Sequence, residues 1–176
     1  IGLKELFLKH QMMVVDFHTA LAVAAGNGPV KLVAWKEGQT LWDTVSVRID
    51  GTRERLPVRP DAFFTLEDTT RPAGQNQVHF FLEADRSTTT HRRFERKLTA
   101  YWHYFQDGGH TAKHGIRTFR VVAVTLTAER ARNLCAAAVD ILPAAARKFY
   151  LFADDPTIGG AASVLHTQGK PSGDGA

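Results

Sequence analysis

Over residues 5–25 one face of the chain is built at helical spacing, with His10, Met13, Val14, Phe17, Leu21 and Ala24 falling at i, i+3 and i+4 steps. Gly26-Asn27-Gly28-Pro29 predicts where that helix stops, glycine at the end and proline just beyond. The period then shortens to two. Residues 30–35 and 42–49 predict short strands, the second closing on the turn pair Asp50-Gly51. A third strand is expected over 58–66, with Pro60 near its start or at a bulge, because proline cannot donate to a ladder. Residues 69–75 read as a polar loop. The strongest strand pattern is 77–85, where His79-Phe80-Phe81-Leu82 is nearly continuously apolar and predicts a central strand covered on both faces.

Ser87-Thr88-Thr89-Thr90 supplies hydroxyls that can cap a helix. The helix that follows runs to about residue 106, with Phe94, Leu98, Tyr101, Trp102 and Phe105 on one face, and Asp107-Gly108-Gly109 ends it. Residues 117–127 predict a strand, 128–142 an Ala-rich helix broken by Pro143, and 148–153 a last short strand. From Pro156 onward Gly, Ala and Ser dominate without periodicity, which predicts a loosely held tail over 156–176. No internal repeat is visible. The order α, β, β, β, β, α, β, α, β predicts one α/β domain over residues 1–155, with a mixed central sheet flanked by helices.

Composition narrows the setting. Of 176 residues, 44% are hydrophobic and 23% charged, so the chain can bury one ordinary globular core. No apolar run approaches the roughly 18 residues that span a bilayer, so no membrane partner is expected. The single cysteine, Cys135, excludes an internal disulfide and a Cys-rich zinc site. Within Leu134-Cys135-Ala136-Ala137-Ala138-Val139 it is expected to be a small buried thiol, which suits a reducing cytoplasm. The start, Ile1-Gly2-Leu3-Lys4, lacks both an initiator Met and a signal-peptide layout, so a piece of a longer protein with a domain upstream is expected.

The net charge of +4 is mild, but its distribution is uneven. Arg86, His91, Arg92, Arg93, Arg96 and Lys97 lie within twelve residues, and His110, Lys113, His114, Arg117 and Arg120 follow. Such a stripe can neutralise phosphates, and Arg86, Arg92, Arg93 and Arg96 are the candidate DNA contacts. A solvated helix face is the competing reading.

Acidic residues stand in two places where a buried strand would not place them: Asp61 after Pro60, and Glu83 with Asp85 at the end of the most apolar strand. Alternation along a strand puts Glu83 and Asp85 on one face. Desolvating carboxylates there is costly unless a metal or a cation compensates. If the two strands pair, Asp61, Glu83 and Asp85 form an oxygen-ligand set suited to Mg²⁺ or Mn²⁺, able to polarise a phosphodiester and activate water. Lys97 flanks the apolar face of its helix, from which its ammonium can reach back toward these acids. Each residue also has a plain structural reading: Asp61 as half of a Pro-Asp turn, Lys97 as a snorkelling flank, Tyr101 and His10 as hydrogen-bonded core residues, and Arg86 as the salt-bridge partner of Glu83 or Asp85.

Pro60-Asp61, then Glu83-Ala84-Asp85, then a helix carrying Lys97, resembles the signature of the PD-(D/E)XK nucleases. The resemblance implies a restriction-endonuclease-like core in which Asp61, Glu83, Asp85 and Lys97 are catalytic. Position 85 departs from it, holding Asp where the family has Lys; some members move that Lys to the following helix, the part that falls to Lys97. A second resemblance is to the replication-relaxation family of plasmids and mobile elements. It rests on His10-Gln11 with Asp16-Phe17, on Arg59-Pro60-Asp61-Ala62-Phe63-Phe64, and above all on Phe80-Phe81-Leu82-Glu83-Ala84-Asp85-Arg86-Ser87-Thr88, with Arg93-Phe94, Lys97 and Tyr101 in step. That likeness implies a part in plasmid replication or DNA relaxation, with DNA and other replication proteins as partners.

Three activities follow as expectations. One is a Mg²⁺- or Mn²⁺-dependent DNA endonuclease or nickase. A second is a catalytically inactive nuclease-like module that binds DNA or replication proteins, favoured by Asp85 in the place of the motif Lys. The third is a tyrosine relaxase using Tyr101 or Tyr104, disfavoured because His79-Phe80-Phe81 lacks the second histidine of a metal pair.

Overall fold

The computed structural model describes residues 2–26, 28–87 and 90–154. In chain order these form α1 (Leu3–Gly26), β1 (Val30–Glu37), β2 (Asp43–Ile49), β3 (Thr52–Val58), β4 (Ala62–Asp68), β5 (Gln77–Asp85), α2 (His91–Gln106), α3 (Gly109–His114), β6 (Arg120–Thr125), α4 (Ala128–Ile141), α5 (Ala144–Arg147) and β7 (Tyr150–Ala153). Five strands make a mixed sheet in the order β1-β4-β5-β6-β7, antiparallel as far as β5 and parallel beyond it. Strand β5 is central, as its apolar run predicts.

Consecutive aromatic residues explain how one sheet feeds two cores. Side chains alternate along a strand, so Phe64 and Phe80 point to one side while Phe63 and Phe81 point to the other. Met13, Val14, Phe17 and Leu21 of α1 close the first core over Phe64, Phe80, Leu82 and Val122. Phe94, Leu98 and Tyr101 of α2 and Leu134 of α4 close the second over Phe81, Val121 and Ala123. Each fully buried Phe contributes roughly 2–3 kcal/mol of transfer free energy. The two β-α-β crossovers step the same way along the sheet, so crossovers of one hand put α2 and α4 on the same face and leave the other to α1.

Several boundaries differ from the sequence pattern. The expected strand over 58–66 is two strands: Val58 ends β3, the chain turns through Arg59-Pro60-Asp61, and β4 begins at Ala62. Strand β3 was hidden because Thr52-Arg53-Glu54-Arg55 carries no apolar alternation. It pairs with β2 as a separate two-stranded ribbon, closed by Asp50 and Gly51 at φ of 49° and 80°. Two positive φ values in succession suit a hairpin turn whose twist matches the strands. Helices α3 and α5, six and four residues long, lie below the length at which periodicity is legible.

Thr90 caps α2, its hydroxyl accepting from the Arg93 N–H at 3.3 Å; Thr88 and Thr89 lie outside the described residues, as does the tail expected over 156–176. Cys135 is exposed rather than buried. The inward face of α4 is Leu134, Ala137 and Ala138, which turns position 135 outward. Among the described residues no helix is long and apolar enough to cross a membrane.

Candidate functional site

The antiparallel register of β4 on β5 sets Ala62 opposite Leu82, bringing the residue just before β4 beside the end of β5. That residue is Asp61. Pro60 cannot join a ladder, so pairing starts with the Asp61 N–H, which donates to the Leu82 carbonyl at 2.9 Å. The carboxylate turns back onto the same strand: Oδ2 accepts from the Ala84 N–H at 2.7 Å and lies 3.3 Å from His10 Nε2. The hydrogen bond from His10 to Asp61, reinforced by the Asp61 charge, raises the His10 pKa above its ordinary value against the opposing effects of burial and Lys97.

Glu83 is 4% exposed, and both its oxygens are engaged. Oε2 receives the Lys97 ammonium, and Oε1 accepts from the Tyr101 hydroxyl at 2.6 Å. Positions 97 and 101 are one helical turn apart, so α2 delivers both donors to one carboxylate. Burial pushes the Glu83 carboxyl above its ordinary value, and the Asp61 charge adds to that while Lys97 opposes it. The Glu83 carboxylate in turn holds the Lys97 ammonium above its ordinary value.

Asp61, Glu83 and Lys97 line one cleft of about 430 Å³, together with Trp42, Arg59 and Arg93. Asp85 does not join them. It shares the face of Glu83, as strand alternation predicts, but its Oδ2 takes two bonds from Arg130 of α4 (Nε 2.9 Å, Nη2 2.7 Å) and its Oδ1 accepts from the Ser87 N–H at 2.8 Å. The three acids expected to converge are therefore a pair in the cleft and a third locked to α4. The salt-bridge partner of Asp85 is Arg130 and not Arg86, which is half-buried, its Nη1 shielded and without a hydrogen-bond partner among the described residues.

The basic stripe is not one surface. Arg92 and Arg93 are exposed on the first turn of α2, Arg96 bonds Glu54 of β3 at 2.7 Å, Lys97 is committed to Glu83, and His110 is buried. Tyr101 and Tyr104 are each 2% exposed. The Tyr104 hydroxyl donates to Asp43 at 3.1 Å, and burial drives both phenols well above their ordinary values, so neither is offered to an incoming strand as a nucleophile.

Among the described residues no three or more His, Cys, Asp and Glu side chains gather as a metal cage. The pair left in the cleft has the donor chemistry of a hydrated site: Mg²⁺ keeps several waters and takes one or two carboxylates beside a phosphate.

Sequence reasoning does not reach Arg130, 45 positions beyond Asp85, or the place of Trp42 in the cleft wall. His10 reads as a hydrogen-bonded core residue, and its partner Asp61 carries no local pairing signal.

The replication-relaxation family model matches residues 3–119, a span that takes in α1, the β2–β3 ribbon, β4, β5, α2 and every residue of the cleft. No curated protein and no solved structure matches the chain.

Proposed function

The chain belongs to the replication-relaxation family, and from that premise we propose that it acts on DNA in plasmid or mobile-element replication or relaxation, as a metal-dependent endonuclease or nickase of the PD-(D/E)XK type. The observation that carries this reading is the Lys97 ammonium on Glu83 in the cleft that Asp61 shares. A lysine on the helix after the acidic strand reaches the carboxylate that a motif lysine at position 85 would have served. The order of α1, β4, β5, α2 and β6 also supports it, since β5 ends at the cleft and α2 starts above it.

Asp61 and Glu83 would hold a Mg²⁺ or Mn²⁺ ion, which when bound supplies polarisation of a phosphodiester and of a water. The chain's own groups do the remainder. Lys97 stabilises charge on the phosphate and orients the water; Tyr101 fixes the Glu83 carboxylate; His10 and the Ala84 N–H fix that of Asp61. Arg93 and Arg59, at the cleft walls, neutralise flanking phosphates.

Incubation of supercoiled plasmid with Mg²⁺ or Mn²⁺ tests the proposal. Wild type converts it to the nicked form, and Glu83→Ala and Lys97→Ala slow conversion by at least roughly 100-fold, the scale of losing a positioned acid–base or charge-stabilising group. Undiminished nicking by Glu83→Ala refutes the assignment. The inactive DNA-binding module is favoured by one observation: Asp85 sits in an ion pair with Arg130 and leaves the cleft two carboxylates, Asp61 and Glu83, in place of the expected three. DNA affinity without nicking in either metal would select it.

A further inference from the structure

We propose that the outer face of the β2–β3 ribbon is a second DNA-backbone contact, a track of guanidinium groups leading from the mouth of the cleft out along the hairpin. The proposal rests on the reading of the chain as a DNA-acting protein and assigns residues outside the stripe on α2.

Three observations carry it. First, the ribbon sorts its charges by face. Its inward side chains are Val45, Val47, Leu56 and Val58, which join the core under α2. Asp43 and Glu54 are turned to internal partners, the first accepting from Tyr104 and the second from Arg96. Arg48, Arg53 and Arg55 are exposed, so the outward face of the two strands carries cations and no carboxylate. Second, the register sets Arg48 directly opposite Arg53. Like charges facing across a strand pair destabilise it, and an anion laid over them removes that repulsion. Third, the track is continuous with the cleft. Arg59, at the inner end of β3, stacks on exposed Trp42 at 4.9 Å, and both line the cleft that holds Asp61 and Glu83.

The dimensions fit a nucleic-acid backbone. The six steps from Arg59 to Arg53 cover roughly 20 Å at the rise of a strand. At about 3.4 Å per nucleotide along one strand of a duplex, that is about six phosphates, enough for three arginines to contact a backbone running outward from the cleft. A two-stranded ribbon is also narrow enough to approach a duplex groove.

The test is the salt dependence of binding of a 30-base-pair duplex, with the full chain, for wild type, Arg48→Gln/Arg53→Gln/Arg55→Gln and the matching triple Lys variant. Each phosphate contact contributes about 0.9 to the slope of log affinity against log salt concentration. The Gln variant is expected to lose about 2.7 from the slope while its thermal midpoint holds or rises, and the Lys variant, which keeps the charge, retains the slope. A wild-type slope in the Gln variant overturns the proposal while leaving DNA binding at the cleft in place. A slope lost equally in the Lys variant overturns it too, since charge would not be its origin. No binding of the duplex by wild type at low salt would instead bring down the DNA-acting reading itself.

Discussion

Lys97→Met isolates the interaction on which the cleft depends. The substitution keeps the apolar stem on α2 and deletes the ammonium, leaving Glu83, with a side chain 5% exposed, to the Tyr101 hydroxyl alone. Removing one partner of a fully buried pair costs about 3–5 kcal/mol, because the other charge is stranded in a low dielectric. Here the Lys97 side chain is 35% exposed; water screens part of the pair and enters part of the gap, so about 2–3 kcal/mol is expected. For a domain of this size, at about 2–4 °C per kcal/mol, the thermal midpoint falls by roughly 5–10 °C. The loss depends on pH. A group whose pKa is higher in the folded than in the unfolded state stabilises the fold below its unfolded value, and that contribution is lost as pH rises through the folded value. The Glu83 pKa is already raised by burial, and loss of Lys97 raises it further. The deficit of Lys97→Met should therefore be largest at alkaline pH and shrink on acidification as Glu83 takes up a proton. Adding Glu83→Gln should recover at least half of it, since a neutral amide no longer needs the ammonium. Thermal melts followed by circular dichroism across a pH series read all three effects. A Lys97→Met protein within about 0.5 kcal/mol of wild type at pH 8, the ordinary range for a surface substitution, with a flat pH profile, would refute the picture of a buried, charged Glu83 held by Lys97.

His10 and Gly109 give two further expected outcomes. The raised His10 pKa means that its bond to Asp61 stabilises the fold fully below about pH 6.5 and is lost as pH rises through the folded value. His10→Gln should cost about 0.5 kcal/mol at pH 5.5, the scale of a partly exposed pair, and progressively less as pH rises through the folded value; NMR titration should show the wild-type ring midpoint falling in Asp61→Asn. Gly109→Ala tests the packing behind α2, because a Cβ there would lie 2.3 and 2.5 Å from two ring carbons of Tyr104, which is 2% exposed and has no room to yield. Overpacking of this kind costs about 1–3 kcal/mol, to be read as a lowered urea midpoint; an unchanged midpoint would mean that the Tyr104 ring is not where the structure puts it.

The sequence by itself determined the elements whose signal is local. Periodicity marked α1 and α2, the apolar run His79-Phe80-Phe81-Leu82 marked a central strand, and the acids at 61, 83 and 85 marked a place where burial needed compensation. Lys97 was legible for the same reason, since one helical turn separates it from Tyr101 on a face that the apolar pattern had already oriented. Tertiary structure alone decided which partner each charge received. Glu83 and Asp85 are equivalent in strand pattern, yet one meets α2 and the other α4, because two crossovers lay different helices over neighbouring positions of one face. The ribbon strand β3 was invisible because its first four residues, Thr52 to Arg55, are all polar, inward-facing Glu54 included, and its stability comes from pairing with β2 and from packing under α2. Local patterns record which side chains want burial; long-range pairing, which costs chain entropy and depends on the whole sheet, records what they are buried against.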